Sequence, residues 1–301
     1  MNLCEAQSEV KQLLNKVKPS ELHKLINWIR NSDELDELLS DNRTVILRNI
    51  SDELRATLPP DAMLPSESTA YRKMQQRSRP TVHMDSFLYD EDQVDSLCEE
   101  GSFSRSYCLN CGSYRTAPLD FISHSFSISE LQFLFENVLP DLSGRLLVDV
   151  GSRLGAVLYG AHVFSSASQL IGVELCDEFV KLQNDIIQKY QLTDRIQVLH
   201  SDVCLQDALL QNADVLIMNN VFEFFMEPRE QVRAWRFIME NFRKKGSLLV
   251  TVPSLQESLS TLQQEALQPG WVEELPVDYD VYLDRDTDPD ALRQIHLYRV
   301  I

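Results

Sequence analysis

Apolar residues change their spacing twice along the chain, and the changes divide it. From Glu9 to about Leu58 they recur three and four apart (Val10, Leu13, Leu14, Val17, then Leu22, Leu25, Ile26, Ile29), which places them on one helix face. Pro19 and Ser20 fall between the two runs, positioned to stop one helix and cap the next. Residues 1–58 are therefore expected to form a small helical accessory region. In "TLPPDAMLPSEST" and "MQQRSRPTVHMDS" the periodicity is lost, so 59–126 reads as a linker with a short helix near 70–76 and a CxxC segment.

Beyond that point helix and strand patterns alternate to the end. The amphipathic "SISELQFLFENVL" comes first, followed by apolar strands near Leu146–Val150, Leu170–Leu175, Ile196–His200, Val215–Met218 and Ser247–Val252. Helical stretches such as "CDEFVKLQNDIIQKY" and "REQVRAWRFIMENF" separate them. Continuous apolar strands between helices predict an α/β fold, a parallel sheet covered on both faces. The last stretch, "WVEELPVDYDVYLDRDTDPDALRQIHLYRVI", offers two extended segments and no long helix between them. It predicts an antiparallel hairpin closing one edge of a domain over 127–301.

The stretch "LLVDVGSRLGAVLYGA" holds the strongest chemical signal. A strand, a turn with Gly151 and Gly155, and a helix start form a nucleotide cradle, because glycine lets the ligand approach backbone amides. Glu174 closes the next strand, where a carboxylate accepts hydrogen bonds from both hydroxyls of an adenosine ribose. NAD and S-adenosylmethionine (SAM) both carry adenosine. Asp149 separates them, since a carboxylate before the turn repels a pyrophosphate and attracts the ammonium and sulfonium of SAM. In "LHSDV", Asp202 and Val203 stand where the adenine would lie. Arg153 occupies a turn position where glycine is common; it fits if its side chain points outward or pairs with the SAM carboxylate, and is strained if the site requires positive φ.

On these residues the chain resembles the class I SAM-dependent methyltransferases over roughly 127–301. The resemblance implies a Rossmann-like seven-stranded sheet with an antiparallel C-terminal hairpin and SAM across the carboxyl ends of the central strands. "VDVGSRLG", "GVEL" and "LIMNNVFEF" look most like the Dot1-like protein lysine methyltransferases, with "FISHSFSISELQFLFENVL" where that group covers SAM. This implies a protein substrate, a lysine in a basic partner. Asn219 and Asn220 then become candidates for orienting the amine, and Phe222 and Phe224 for walling its channel; the alternatives are a turn cap for the asparagines and core packing for the rings. His124 is a candidate general base or a hydrogen-bonded loop residue. Glu223 either attracts a cationic substrate or faces solvent. No NPPY-type tetrad, associated with methylation of planar amines, is present.

Composition adjusts this picture at the margins. Acids outnumber bases 46 to 28, a net charge of -18, so a basic protein is expected as partner and nucleic acid is not. The basic cluster Arg72, Lys73, Arg77, Arg79 is the exception; it and a small-molecule or RNA acceptor remain open, as does a non-catalytic scaffold with a degraded pocket. The acidic run Glu273–Asp290 either protects the sheet edge or receives a basic tail. Cys98, Cys108, Cys111 and His124 offer four zinc ligands, but only Cys108 and Cys111 have ligand-pair spacing, so reduced thiols are the competing reading and no metal is assigned. The polar N-terminus and the lack of a run of roughly 18 apolar residues predict an intracellular protein, cytoplasmic or nuclear, without a membrane span.

Overall fold

The computed structural model describes residues 3–31, 33–77, 79–260, 270–282 and 289–301, with the side chains of 3–6, 31, 33–41 and 282 outside that description. Two compact units are present, 1–46 and 47–301. The first holds α1 (Leu3–Lys16), α2 (Pro19–Asn31) and the start of α3 (Asp33–Arg55). Pro19 opens α2, where its missing N–H costs nothing because the first helical amides lack intrahelical acceptors.

The second unit begins inside α3, whose Leu47, Ile50 and Leu54 are buried. Ser51 donates its hydroxyl to the carbonyls of Phe87 (2.8 Å) and Leu88 (3.1 Å). Residues 59–126, expected as a linker, therefore lie within the same compact unit as the sheet. They contain α4 (Ser68–Gln75), β1 (Thr81–His83), α5 (Glu91–Glu99), β2 (Ser106–Cys108), β3 (Thr116–Pro118) and β4 (Asp120–Ile122). β1 pairs with β4 in parallel, and β2 with β3 antiparallel. Each strand is only three residues long, too short to show alternation in sequence. Tertiary bonds order the segment instead: buried Asp85 accepts the amides of Phe87 and Leu88 and the hydroxyl of Ser125.

Ser127 caps α6 (Ile128–Phe133) in a reciprocal box with Glu130, and a π-helical turn over Leu134–Val138 continues it. The alternation then runs β5 (Leu146–Val150), α7 (Ala156–Phe164), β6 (Gln169–Glu174), α8 (Asp177–Lys189), β7 (Ile196–His200), α9 (Asp207–Asn212), β8 (Val215–Asn219), α10 (Pro228–Asn241) and β9 (Leu248–Val252). After α11 (Leu255–Ser260) come β10 (Val272–Leu275), α12 (Pro289–Leu292) and β11 (His296–Val300).

The sheet has seven strands in the order β10-β11-β9-β8-β5-β6-β7. Pairings are parallel from β9 to β7, whereas β11 runs antiparallel to both β9 and β10. This is the doubly wound sheet with an antiparallel closing hairpin that the resemblance implies. Its order reverses between β5 and β8, which opens a crevice at their carboxyl ends, the place where such sheets bind ligands. Trp235 and Ile238 of α10 and Phe242 at its C-cap belong to one buried core cluster with Leu216 and Leu249. On the edge, Glu273 pairs with Arg299 and Glu274 with His296, their cross-strand or diagonal neighbours, which fits edge protection. Residues 283–288 of the acidic run lie outside the described residues.

Candidate functional site

A cleft of about 580 Å³ opens at that switch point, lined by the turn 149–157, residues 173–179, Ser201–Val203, Asn219 and Val221 below, and by Ser66–Thr69 and His124–Phe126 above. All seven expected cofactor residues, Asp149, Gly151, Arg153, Gly155, Glu174, Asp202 and Val203, belong to the elements that form it, and all but Gly155 line it directly. Gly155, at φ 85°, is the left-handed N-cap of α7. Gly151 is also left-handed (φ 71°), and a Cβ there would stand 2.4 Å from Cγ2 of Val221. The turn thus needs its glycine for both conformation and space.

Two buried carboxyls form the floor. Burial pushes Asp149 well above the ordinary carboxylate range, and the neighbouring charge of Glu174 pushes it further. Glu174 is raised by burial too, partly offset by amides of Cys176 (2.8 Å) and Arg153 (2.9 Å) that donate one to each of its oxygens. The amides fix the carboxylate's orientation. Asp202 is more committed than the sequence indicates: one oxygen accepts the amide of Cys204 (2.9 Å), the other pairs with Arg233 (2.8 Å).

Arg153 adopts the positive φ named as the strained alternative, while its side chain takes a course the sequence does not suggest. Its backbone is left-handed (φ 40°), and its side chain turns inward to Glu67, Nε to Oε1 at 3.0 Å and Nη2 to Oε2 at 3.1 Å. Nη2 also donates to the carbonyl of Ala62 (2.8 Å), and the guanidinium lies 5.2 Å from the ring centres of both Phe179 and Phe225. Ser66 adds a bond to Glu178 at the start of α8 (3.0 Å). Sequence reading missed Glu67, Ser66 and Phe225; the first two lie in an aperiodic stretch, and the third was passed over for Phe222 and Phe224.

The acceptor candidates separate. Asn219 lines the cleft, donating to the carbonyl of His124 (3.2 Å) and accepting from Nδ2 of Asn220 (3.0 Å). Asn220 does not line it. It is a turn residue at φ 50° whose amide bonds Val252, because asparagine tolerates the left-handed conformation the strand exit requires. Phe222 touches the cleft but is buried edge-on against Trp235, at 5.6 Å between ring centres, which makes it a core residue. Phe224 is packed away from the cleft against His124 and His83. Glu223 accepts the amide of Phe222 (3.3 Å).

His124 is poorly suited to be the general base. Burial, with the charge of Arg153 second, lowers its pKa to about 3, and neither ring nitrogen has a partner. The zinc reading fails on geometry, since among the described residues no three His, Cys, Asp or Glu side chains gather to hold a metal. Cys108 and Cys111 are free and exposed on the hairpin, whereas His124 faces Phe224. No helix among the described residues is long and apolar enough to cross a membrane.

No family profile matches the sequence, and no curated protein does. Solved structures with a similar arrangement include several described as methyltransferases. An O-methyltransferase from Bacillus cereus in complex with SAH is 13% identical, with 60% of this chain and 84% of that chain covered at a TM-score of 0.42. An RNA methyltransferase from Salinibacter ruber in complex with S-adenosyl-L-homocysteine is 16% identical, covering 57% and 88% at 0.35. TrmN from Thermus thermophilus is 13% identical, covering 58% and 48% at 0.40. At these values the likeness is one of general architecture, and the chemistry rests on the cleft itself.

Proposed function

We propose that the chain is a SAM-dependent methyltransferase. The observation that carries this is the pair of buried carboxyls, Asp149 and Glu174, on the floor of a cleft at the switch point of the sheet. A volume of about 580 Å³ is within the range of small-molecule sites, about 300–1,000 Å³. Burial raises both carboxyls and the charge of Glu174 raises Asp149 further, so a cationic ligand is favoured because it offsets that repulsion. Glu174, held by two amides, keeps lone pairs for ribose hydroxyls; Asp149 and the glycine turn suit the amino-acid end, and Val203 offers an apolar wall for adenine.

When bound, the cofactor supplies a methyl group on a sulfonium that a nucleophile attacks in line. The chain's part is alignment and exclusion of water. Asn219, its amide fixed by His124 and Asn220, is the polar group at the end of β8 placed to orient an acceptor. The finer reading of a protein lysine now rests on Asn219 and on the sequence resemblance, because Asn220, Phe222 and Phe224 have structural roles. A specific observation favours a second reading, a non-catalytic scaffold: Arg153 has positive φ and is already paired with Glu67, so the turn serves the protein's own fold. Tritium transfer from labelled SAM into fractionated protein, RNA and metabolite pools separates the readings. Label in one pool, absent with Asp149→Ala, supports the enzyme; no label in any pool supports the scaffold.

A further inference from the structure

Six exposed arginines fall in two groups outside the cleft lining, which is unexpected in a chain of net charge -18. Arg72, Arg77 and Arg79 belong to α4 and the residues after it, whereas Arg229, Arg233 and Arg236 lie on one face of α10. An ion pair joins the groups, Arg72 to Glu227 at 3.2 Å, immediately before α10. The junction is rigid: Lys73 of α4 and Gln231 of α10 both donate to the carbonyls of Glu223 and Met226, in the loop that carries cleft residues Phe225 and Met226.

A second hollow, of about 420 Å³, is lined by the three α10 arginines, with Phe237, Val232, Cys204 and Glu240. It adjoins the cleft through Asp202 and Val203, which directly precede Cys204. Arg233 bonds Asp202 across that border. Two of the arginines are themselves ion-paired, Arg72 with Glu227 and Arg233 with Asp202, so a phosphate there would share them with those acids; Glu230 accepts the amide of Glu227, and Glu240 also lines the hollow.

We infer that this arginine-lined rim binds the phosphodiester backbone of a single-stranded nucleic acid and presents it to the cleft. As an assignment of the methyl acceptor the inference rests on the methyltransferase reading; as a binding surface it stands alone. Arg229 and Arg236 are seven residues apart, a rise of about 10 Å along the helix, and Arg72 is tied to the residue before that helix through Glu227. One phosphate cannot bridge such a row, whereas a strand with a charge on every nucleotide can. Phe237 in the hollow offers a ring against which a base can stack. The overall negative charge does not forbid this, because charges beyond about 8 Å are screened at physiological salt, and phosphate contacts are local.

The test is fluorescence anisotropy of labelled single-stranded RNA and DNA oligonucleotides with the full chain, without SAM, from about 50 to about 200 mM salt. Saturable binding is expected, with affinity falling steeply as salt rises. In Arg229→Ala/Arg236→Ala the affinity should drop about tenfold and the log–log salt slope by about 1.4, two phosphates at about 0.7 each. Arg72→Ala/Arg79→Ala should act likewise. Absence of saturable binding at low salt, wild-type behaviour in both double variants, or tighter capture of a phosphoserine peptide than of either oligonucleotide would overturn the inference. Calorimetry with SAM on the Arg229/Arg236 variant, expected to match wild type, distinguishes failure of the rim from failure of the cofactor site.

Discussion

Glu67 and Arg153 form a two-point ion pair inside the proposed cofactor cleft, with only 10% and 11% of their side chains exposed. Eighty-six positions separate them, so the pair ties the segment before α4 to the glycine turn. Removing Glu67 leaves the largely buried Arg153 guanidinium without its two-point counterion. Glu67→Gln should therefore cost about 3 kcal/mol, within the span for broken buried pairs. Denaturant unfolding measures this, and a change below about 0.5 kcal/mol would place the pair among surface-type interactions.

Arg153→Gly tests the same turn from the opposite side. Glycine removes the strain of a left-handed arginine but also removes the clamp on Glu67 and Ala62. Net destabilisation is expected, with weaker SAM binding as the turn loosens. Tighter SAM binding in a stable variant would favour the scaffold reading, in which the arginine obstructs the pocket.

Gly151→Ala should disrupt the cleft, because the new Cβ meets Val221 in a left-handed conformation. Adding Val221→Ala relieves the contact but leaves the backbone penalty of about 1–2 kcal/mol. Partial recovery of the melting temperature in the double variant is the expected outcome; complete recovery would show that φ carries no cost there.

Asn220 distinguishes a turn residue from a catalytic one. At φ 50°, Asn220→Gly should hold stability within about 0.5 kcal/mol, whereas Asn220→Ala should lose about 1 kcal/mol. Methyl transfer should survive in the glycine variant. Loss of transfer with intact folding would return Asn220 to the reaction.

Acid should act through His124. Its ring titrates at 6.5 when unfolded and at about 3 when folded, so the folded state binds fewer protons and stability falls as pH drops below 6.5. By pH 5 this amounts to about 2 kcal/mol, at about 1.4 kcal/mol per pH unit. His83, also lowered by burial, adds in the same direction, while the raised carboxyls of Asp85, Asp149 and Glu174 act oppositely. The difference between wild type and His124→Phe isolates the ring: the variant should lose less stability between pH 7 and 5. Parallel profiles would contradict the unpartnered, neutral imidazole.

The sheet was legible because its strands are continuous apolar runs between amphipathic helices, a local signal that survives in one sequence. Asp149, the two glycines and Glu174 were legible for a related reason, since each sits at a fixed offset from a strand end. Glu67, Ser66 and Asp85 were not, because their order comes from contacts with residues far along the chain and leaves no periodicity in "LPPDAMLPSEST" or "RPTVHMDS". Arg153 shows the limit most clearly: its position in the turn was evident, yet its partner lay in what read as a linker. A net charge of -18 does not disclose local grouping: Arg72, Arg77 and Arg79 lie on and just after α4, and Arg229, Arg233 and Arg236 on α10.

Isothermal calorimetry of the folded chain with SAM tests the cofactor assignment most directly. Saturable binding of one SAM per chain is predicted, weakened at least about tenfold in Glu174→Ala, which removes the carboxylate proposed to hold the ribose hydroxyls. No binding heat across several temperatures, with folding verified by circular dichroism, or equal affinity in wild type and Glu174→Ala, would contradict it.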